Sequence, residues 1–276
     1  MAEPSYDTLR FERQGQVGWL HLHRPDKLNA FTPTMWRELG DLGARVGEDP
    51  DLRAVVVIGE GRAFSSGIDT SVFTDGTGAA SIIGDRAARH PDPTIAGILA
   101  VQDTFTWLET APYVTIAAMH GYAFGAGLQL ALACDLRVMG TGTKLGLLEL
   151  QYGILPDLGG TQRLPRLVGP SKALQLIVTG ARIGADEASR IGLADVLVAD
   201  DAVEDTARAL ADQIAAQPPL AVRGAKRAVQ AAVSGRSVAD GLVVEAEMQA
   251  ACLRSADMGE AITAFVEQRP PVYKGA

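Results

Sequence analysis

The sequence predicts an α/β protein, with a core of alternating strands and helices over residues 1–200 and a helical region over 201–276. Three observations predict it. Val17 to His23 alternates apolar and polar side chains, the period of a half-buried strand. The stretches 53–58 and 114–119 are almost continuously apolar, as strands covered on both faces are. Beyond residue 170 the apolar residues fall mainly at helical spacing.

Each element has its own local signal. Arg24-Pro25-Asp26-Lys27 is a turn. Thr32-Pro33 supplies an N-cap with proline at the first helical position, and Trp36, Leu39, Leu42 and Val46 form the inward stripe of the helix that follows. A strand over 53–58 leads into the loop 59–67. Thr70 to Pro93 is polar, glycine-bearing and weakly patterned, and is expected to be an excursion over a site. Ile95 to Thr110 is helical. The strand 114–119 runs into a glycine-rich turn, a helix over 126–134 and a strand over 136–139. A helix over 161–168 follows, with Asp157 a candidate cap. Ser171 to Thr179 is a helix closed by Gly180. Asp201 with Glu204 resembles a capping box before Val203, Ala207, Leu210 and Ile214. Pro218-Pro219 interrupts the chain before another helix. Asp257 with Glu260 opens the last helix, which carries Ile262, Phe265 and Val266.

Composition excludes several classes. Of 276 residues, 47% are apolar and 21% charged, the balance of an ordinary globular protein. A net charge of -8 argues against nucleic acid as a partner. Cys134 and Cys252 are the only cysteines, too few for a disulfide framework or a cysteine zinc site, and are expected to be buried, reduced thiols. Met1 to Arg13 is charged and lacks the apolar segment of a signal peptide. Val114 to Cys134 is long enough to imitate a membrane span, but its glycines and central His120 favour a buried strand-turn-helix. The expected setting is cytoplasmic, with no membrane partner.

Four features carry candidate chemistry. The turn Gly121-Tyr122-Ala123-Phe124-Gly125-Ala126-Gly127 precedes a helix start, where unpaired N–H groups and the positive dipole end can hold an oxyanion or a phosphate. A dinucleotide fingerprint would need a glycine at Leu130, so that reading fails. In Ala63-Phe64-Ser65-Ser66-Gly67-Ile68-Asp69, Ser65 could sit on a nucleophile elbow, although Ala63 replaces the usual preceding glycine. The same loop could instead offer the Ile68 N–H to a cleft, or be an ordinary turn. Glu149, amid Leu147, Leu148 and Leu150, is a candidate proton carrier with a raised pKa if buried, and a surface residue if not. Asp157 could cap a helix or act as a second proton carrier. The four histidines show no metal spacing, and no metal is expected.

Taken together these segments resemble the crotonase superfamily, also called the enoyl-CoA hydratase/isomerase family. The likeness runs through Leu22-His23-Arg24-Pro25-Asp26-Lys27-Leu28-Asn29-Ala30, Ala63 to Asp69 and Ile116 to Asp135. It continues through Gly159-Gly160-Thr161-Gln162-Arg163-Leu164-Pro165-Arg166-Leu167-Val168-Gly169 and Leu176-Ile177-Val178-Thr179-Gly180. The resemblance implies a spiral of ββα repeats with a C-terminal helical trimerisation region, assembled as a homotrimer or a hexamer of trimers. It implies an acyl-CoA thioester substrate, with CoA carried by the substrate and no separate cofactor. Ile68 and Ala126 would be the backbone donors of an oxyanion hole, stabilising the enolate formed beside the thioester. Lys27, Leu28, Ala30, Ala63 and Ser65 would border the CoA adenine end, and Phe265 would reach a neighbouring subunit's ligand.

The chain departs from the pattern at informative places. Enoyl-CoA hydratases carry two catalytic glutamates. Glu149 stands at the second, and Gln129 occupies the first. A glutamine amide is no general base at neutral pH, though it can orient a water. Asp157 falls where dienoyl-CoA isomerases carry an aspartate, although those enzymes also have an aspartate at the Gln129 position. Gln268 stands where some hydratases place a lysine near the CoA phosphates. The expected reaction is therefore double-bond isomerisation of an enoyl- or dienoyl-CoA, with Glu149 moving the proton and Asp157 as a possible partner. The alternatives are hydration of a 2-enoyl-CoA, with Gln129 holding the water, and acyl-CoA binding without catalysis.

Overall fold

The computed structural model describes residues 5–74 and 90–276. Strand β1 (Leu9–Gln14) pairs antiparallel with β2 (Val17–Leu22), and helix α1 (Pro33–Val46) leads to β3 (Ala54–Gly59). A short α2 (Ser71–Thr74) and a long α3 (Pro93–Thr110) precede β4 (Val114–Met119), β5 (Tyr122–Phe124) and α4 (Ala126–Ala133). Then come β6 (Leu136–Gly140), β7 (Lys144–Gly146), α5 (Gly160–Val168) and α6 (Pro170–Thr179). The chain continues with β8 (Ile183–Gly184), α7 (Ala185–Arg190) and β9 (Val196–Val198). It ends in four helices, α8 (Val203–Ala215), α9 (Pro219–Val233), α10 (Val238–Leu253) and α11 (Ala256–Glu267). Of the excursion expected over 70–95, residues 75–89 lie outside the described residues.

One sheet runs β1-β2-β3-β4-β6-β9, parallel from β2 onward, and a smaller one runs β5-β7-β8. The central strands explain their own sequences. Val55, Val57, Ala117 and Met119 face a core with α1, α3 and α4. Ala54, Val56, Ile58, Ile116 and Ala118 face Val203, Ala207 and Ala211 of α8. Both faces are covered, so both must be apolar. Thr32 caps α1 by accepting from the Met35 N–H, as its Thr-Pro signature predicts.

Two expected caps are corrected. Asp201 does not box α8, whose N-cap is Ala202 without a side-chain bond. The neighbouring Asp200 instead accepts from the Gly142 N–H at 2.8 Å, tying down a distant loop. Helix α11 is capped by Ser255, not by Asp257 and Glu260. Asp257 accepts from the Lys274 and Gly275 N–H groups, and Glu260 pairs with Arg269. At α11 the expected residues are thus drawn into longer-range bonds while the local serine caps the helix.

Helix α9 is fastened to the sheet by a partly buried ion pair. Lys226 Nζ of α9 lies 2.7 Å from Asp135 Oδ2, beside the start of β6, and also donates to the Tyr113 carbonyl at 2.8 Å. Asp135 accepts from the backbone N–H and the hydroxyl of Thr115. Cys134 is buried as expected, while Cys252 is only half-buried. Among the described residues no helix is long and apolar enough to cross a membrane; the stretch 114–134 is a strand, a turn and a helix.

Candidate active site

Two loops meet at the C-terminal ends of β3 and β4. Residues 63–69 follow β3, and residues 120–125 connect β4 through β5 to α4. They are laced by backbone hydrogen bonds from the Ser65 N–H to the Tyr122 carbonyl at 2.9 Å and from the Phe124 N–H to the Ser65 carbonyl at 3.0 Å. This approach requires glycine. A Cβ on Gly127 would fall 2.6 Å from Ser65 Cβ, and one on Gly67 would fall 2.9 Å from the Phe124 carbonyl oxygen. Gly67 and Gly125 also have φ of 99° and 49°, values that side chains disfavour.

This backbone leaves two donors free. Ala126 is the first residue of α4, with Gly125 as N-cap, so its N–H has no intrahelical acceptor. Ile68 is bracketed by bonds through its neighbours, from the Phe31 N–H to the Gly67 carbonyl and from the Asp69 N–H to the Phe31 carbonyl. Its own N–H has no acceptor among the described residues. Both residues line one cleft, together with Gly67, Phe124, Leu148 and Glu149. The cleft has a volume of about 70 Å³, well below that of a pocket enclosing a whole drug-sized ligand.

Glu149 begins a short 3₁₀ turn after β7 and is 5% exposed. Its Oε1 accepts from Gln129 Nε2 at 2.7 Å, and Gln129 Oε1 accepts from the Gly160 N–H at 2.9 Å. Glu149 Oε2 is buried without a hydrogen-bond partner among the described residues. Burial raises the Glu149 pKa. The Gln129 amide and the nearby backbone N–H groups of Glu149 and Leu148 oppose this, and the Asp157 carboxylate adds to it. Asp157 is half-buried, and burial raises its pKa too. Asp157 does not cap α5, whose N-cap is Gly159 in a left-handed conformation without a side-chain bond.

The remaining expected residues separate into groups. Ala63 and Ser65 are fully buried and Ala30 nearly so, leaving only Lys27 exposed and Leu28 half-buried in the group expected near CoA. The Ser65 hydroxyl donates to the Asn29 carbonyl at 2.8 Å and accepts from the Gly67 N–H at 3.2 Å. It braces the loop and is shielded from any substrate, which removes the nucleophile-elbow reading. Phe265 is 85% exposed on α11 and does not line the cleft. His23 pairs with Glu60, and His120 Nε2 lies 3.0 Å from the Gly61 carbonyl oxygen. Sequence reasoning missed Arg24, whose guanidinium donates to Asp69 at 3.0 Å and to the Ala30 carbonyl, steadying the donor loop. It also missed Gly160 as the partner of Gln129; the pair Gly159-Gly160 was its only signal.

A family model described as enoyl-CoA hydratase/isomerase matches residues 12–276. The chain is 34% identical over 264 residues to the short-chain-enoyl-CoA hydratase of Clostridium acetobutylicum, covering 95% of this chain and 96% of that one. It superposes on an enoyl-CoA hydratase from Bacillus anthracis with a TM-score of 0.86, at 32% identity, over 98% of this chain and 100% of that one. It also superposes on a Thermobifida fusca chain solved in complex with CoA, with a TM-score of 0.78 at 38% identity, over 89% and 93% of the two chains.

Proposed function

The chain belongs to the enoyl-CoA hydratase/isomerase family, and from that premise we propose that it adds water to a 2-enoyl-CoA thioester through an enolate. One observation carries the chemistry: Glu149, whose Oε2 has no hydrogen-bond partner among the described residues, lines the same cleft as Ile68 and Ala126, whose N–H groups are unpaired there. The thioester oxygen accepts from the two N–H groups. Water attacks C3 as Glu149 takes its proton, and charge moves onto the thioester oxygen, where two fixed donors stabilise it without reorganising. Glu149 then returns the proton to C2, completing the addition of one water. No group beyond the substrate's own CoA is called for.

This reverses the order expected from the sequence, where isomerisation came first. Support for hydration comes from the relatives' names, of which the Clostridium acetobutylicum and Bacillus anthracis proteins are examples. A specific observation still favours isomerisation as the second reading: Gln129 leaves a single carboxylate bonded into the site. Migration needs only one carrier to lift a proton from one carbon and return it to another. Incubating the protein separately with 2-enoyl- and 3-enoyl-CoA in deuterated water tests both. Hydration predicts 3-hydroxyacyl-CoA deuterated at C2. Migration of the 3-enoyl substrate without any hydration of the 2-enoyl substrate would overturn the proposal in favour of the second reading.

A further inference from the structure

We infer that Gln129 is a positioning residue, which fixes the Glu149 carboxyl by bonding one of its oxygens and leaves the other unbonded for the proton transfer. The inference rests on Glu149 being the proton carrier proposed above, and it replaces the water-holding role expected for Gln129. Gln129 is 1% exposed and does not line the cleft. Its amide is used at both ends. The Gly160 N–H can only donate, so it fixes the oxygen of the amide on its side and aims Nε2 at Glu149 Oε1.

The geometry is built for this contact. A Cβ on Gly160 would stand 3.0 Å from Gln129 Oε1 and 3.1 Å from Pro156 Cβ, so glycine lets the N–H come close. Gln129 lies three residues after Ala126 on α4, and its own N–H bonds the Gly125 carbonyl at 3.0 Å. One rigid turn of helix thus carries both an oxyanion donor and the clamp on the proton carrier. The distance between the place where charge develops and the place where the proton moves is set by that turn.

The clamp also acts on charge. Burial favours the neutral acid, and a donor to the carboxylate favours the ion. The titratable groups facing Glu149 are Asp157, from the loop before α5, and Tyr152, which also lines the cleft; α4 contributes none. Gln129 is therefore a side-chain donor that favours the ionised Glu149, beside the backbone N–H groups of Glu149 and Leu148.

The test is Gln129→Met in the full chain, which keeps the side chain's length and removes the donor. Two readouts are taken: the pH dependence of kcat/KM with 2-enoyl-CoA, and the titration of the Glu149 carboxyl followed by carbon-13 NMR in the free protein, assigned against Glu149→Gln. The expected result is that Glu149 titrates at higher pH and the acid limb of kcat/KM moves with it. We expect kcat to fall about 10- to 100-fold, the typical worth of a hydrogen bond to a charged group, with KM little changed. A purely structural role would lower Tm and leave the titration in place, and that result overturns the inference. If Gln129→Met does not fold, Gly160→Ala, which pushes on the amide while keeping its N–H, must move the titration in the same direction, and an unmoved titration overturns the inference equally. Absence of turnover by the wild type would instead sink the proposed reaction, while the NMR titration would still decide the clamp.

Discussion

Gly67 and Gly125 face each other across the floor of the cleft, so closely that a Cβ on Gly125 would lie 3.9 Å from Gly67 Cα and 3.3 Å from Glu149 Oε1. Each glycine immediately precedes one of the two free N–H groups. The close approach of backbone to backbone therefore sets the spacing of the donors; a Cβ on Gly67 would press on the Phe124 carbonyl oxygen, and one on Gly125 on Glu149 Oε1.

Ala126→Pro removes one donor at a fully buried position. Residue 126 is the first of α4, where proline is tolerated. Turnover is expected to fall roughly 100-fold or more, the typical loss for one oxyanion donor, with the circular dichroism spectrum retained. Full turnover by the folded variant would remove the Ala126 N–H from the mechanism.

Glu149→Gln is expected to lower turnover by roughly 100- to 10,000-fold, the range for general acid–base catalysis. It should also melt above the wild type at neutral pH. The Glu149 pKa is raised in the folded state chiefly by burial, so its contribution to stability is complete below the ordinary glutamate value of 4.5. That contribution is lost as pH rises through the folded-state pKa. A neutral amide carries no such loss. Melting curves across pH should therefore converge in acid and separate near neutrality, and the wild-type kcat/KM should fall as pH drops through the folded-state pKa.

Gln129→Glu would place a second carboxyl against the first. The Gly160 N–H can donate to a carboxylate as it does to the amide, so the new group keeps its anchor. Two carboxyls at this separation share a proton. Hydration needs one base and one acid, so its rate should rise relative to migration, by up to roughly 100-fold. Product ratios from paired 2-enoyl- and 3-enoyl-CoA assays measure this, and an unchanged ratio would contradict it.

The helical tail predicts an assembly. On α11, Ile262, Phe265 and Val266 are 56%, 85% and 74% exposed, a cost to a lone chain in water. A trimer, or a hexamer of trimers, is expected by light scattering at micromolar concentration; a stable monomer would contradict it.

Lys226→Met should be strongly destabilising. Lys226 is 7% exposed and is the cationic partner of Asp135. Burial outweighs that cation in raising the Asp135 pKa. Removing one partner of a fully buried pair typically costs about 3–5 kcal/mol; with Asp135 partly exposed the cost is expected below that, and chemical denaturation would read it as a lower midpoint.

What could be read in advance was whatever depends on neighbours in sequence. The strand Val114–Met119, the Thr32 cap and the Gly180 stop are local patterns, and the structure repeats them. The placing of Ile68 and Ala126 in one cleft came from resemblance, because no local pattern brings residues 68 and 126 together. The expected caps fail at particular places. Asp257 makes its bonds across a long stretch of chain, Asp201 does not cap α8, and Asp157 does not cap α5 although the position suits a cap. Strands β7 and β8, of three and two residues, are too short to carry a period. The clamp on Glu149 joins residues 129, 149 and 160 from three separate elements, and a lone glutamine in an apolar helix gives no hint of it.

The Gly160 donor has a consequence for how such a site can change over generations. Glutamine and glutamate codons differ by one base, and a backbone N–H at this position can donate to either side chain's oxygen. A lineage carrying this anchor can pass between one carboxyl and two by a single nucleotide change, without first rebuilding the pocket around residue 129. Chemistry here is separated by mutation, while the scaffold that presents it stays put.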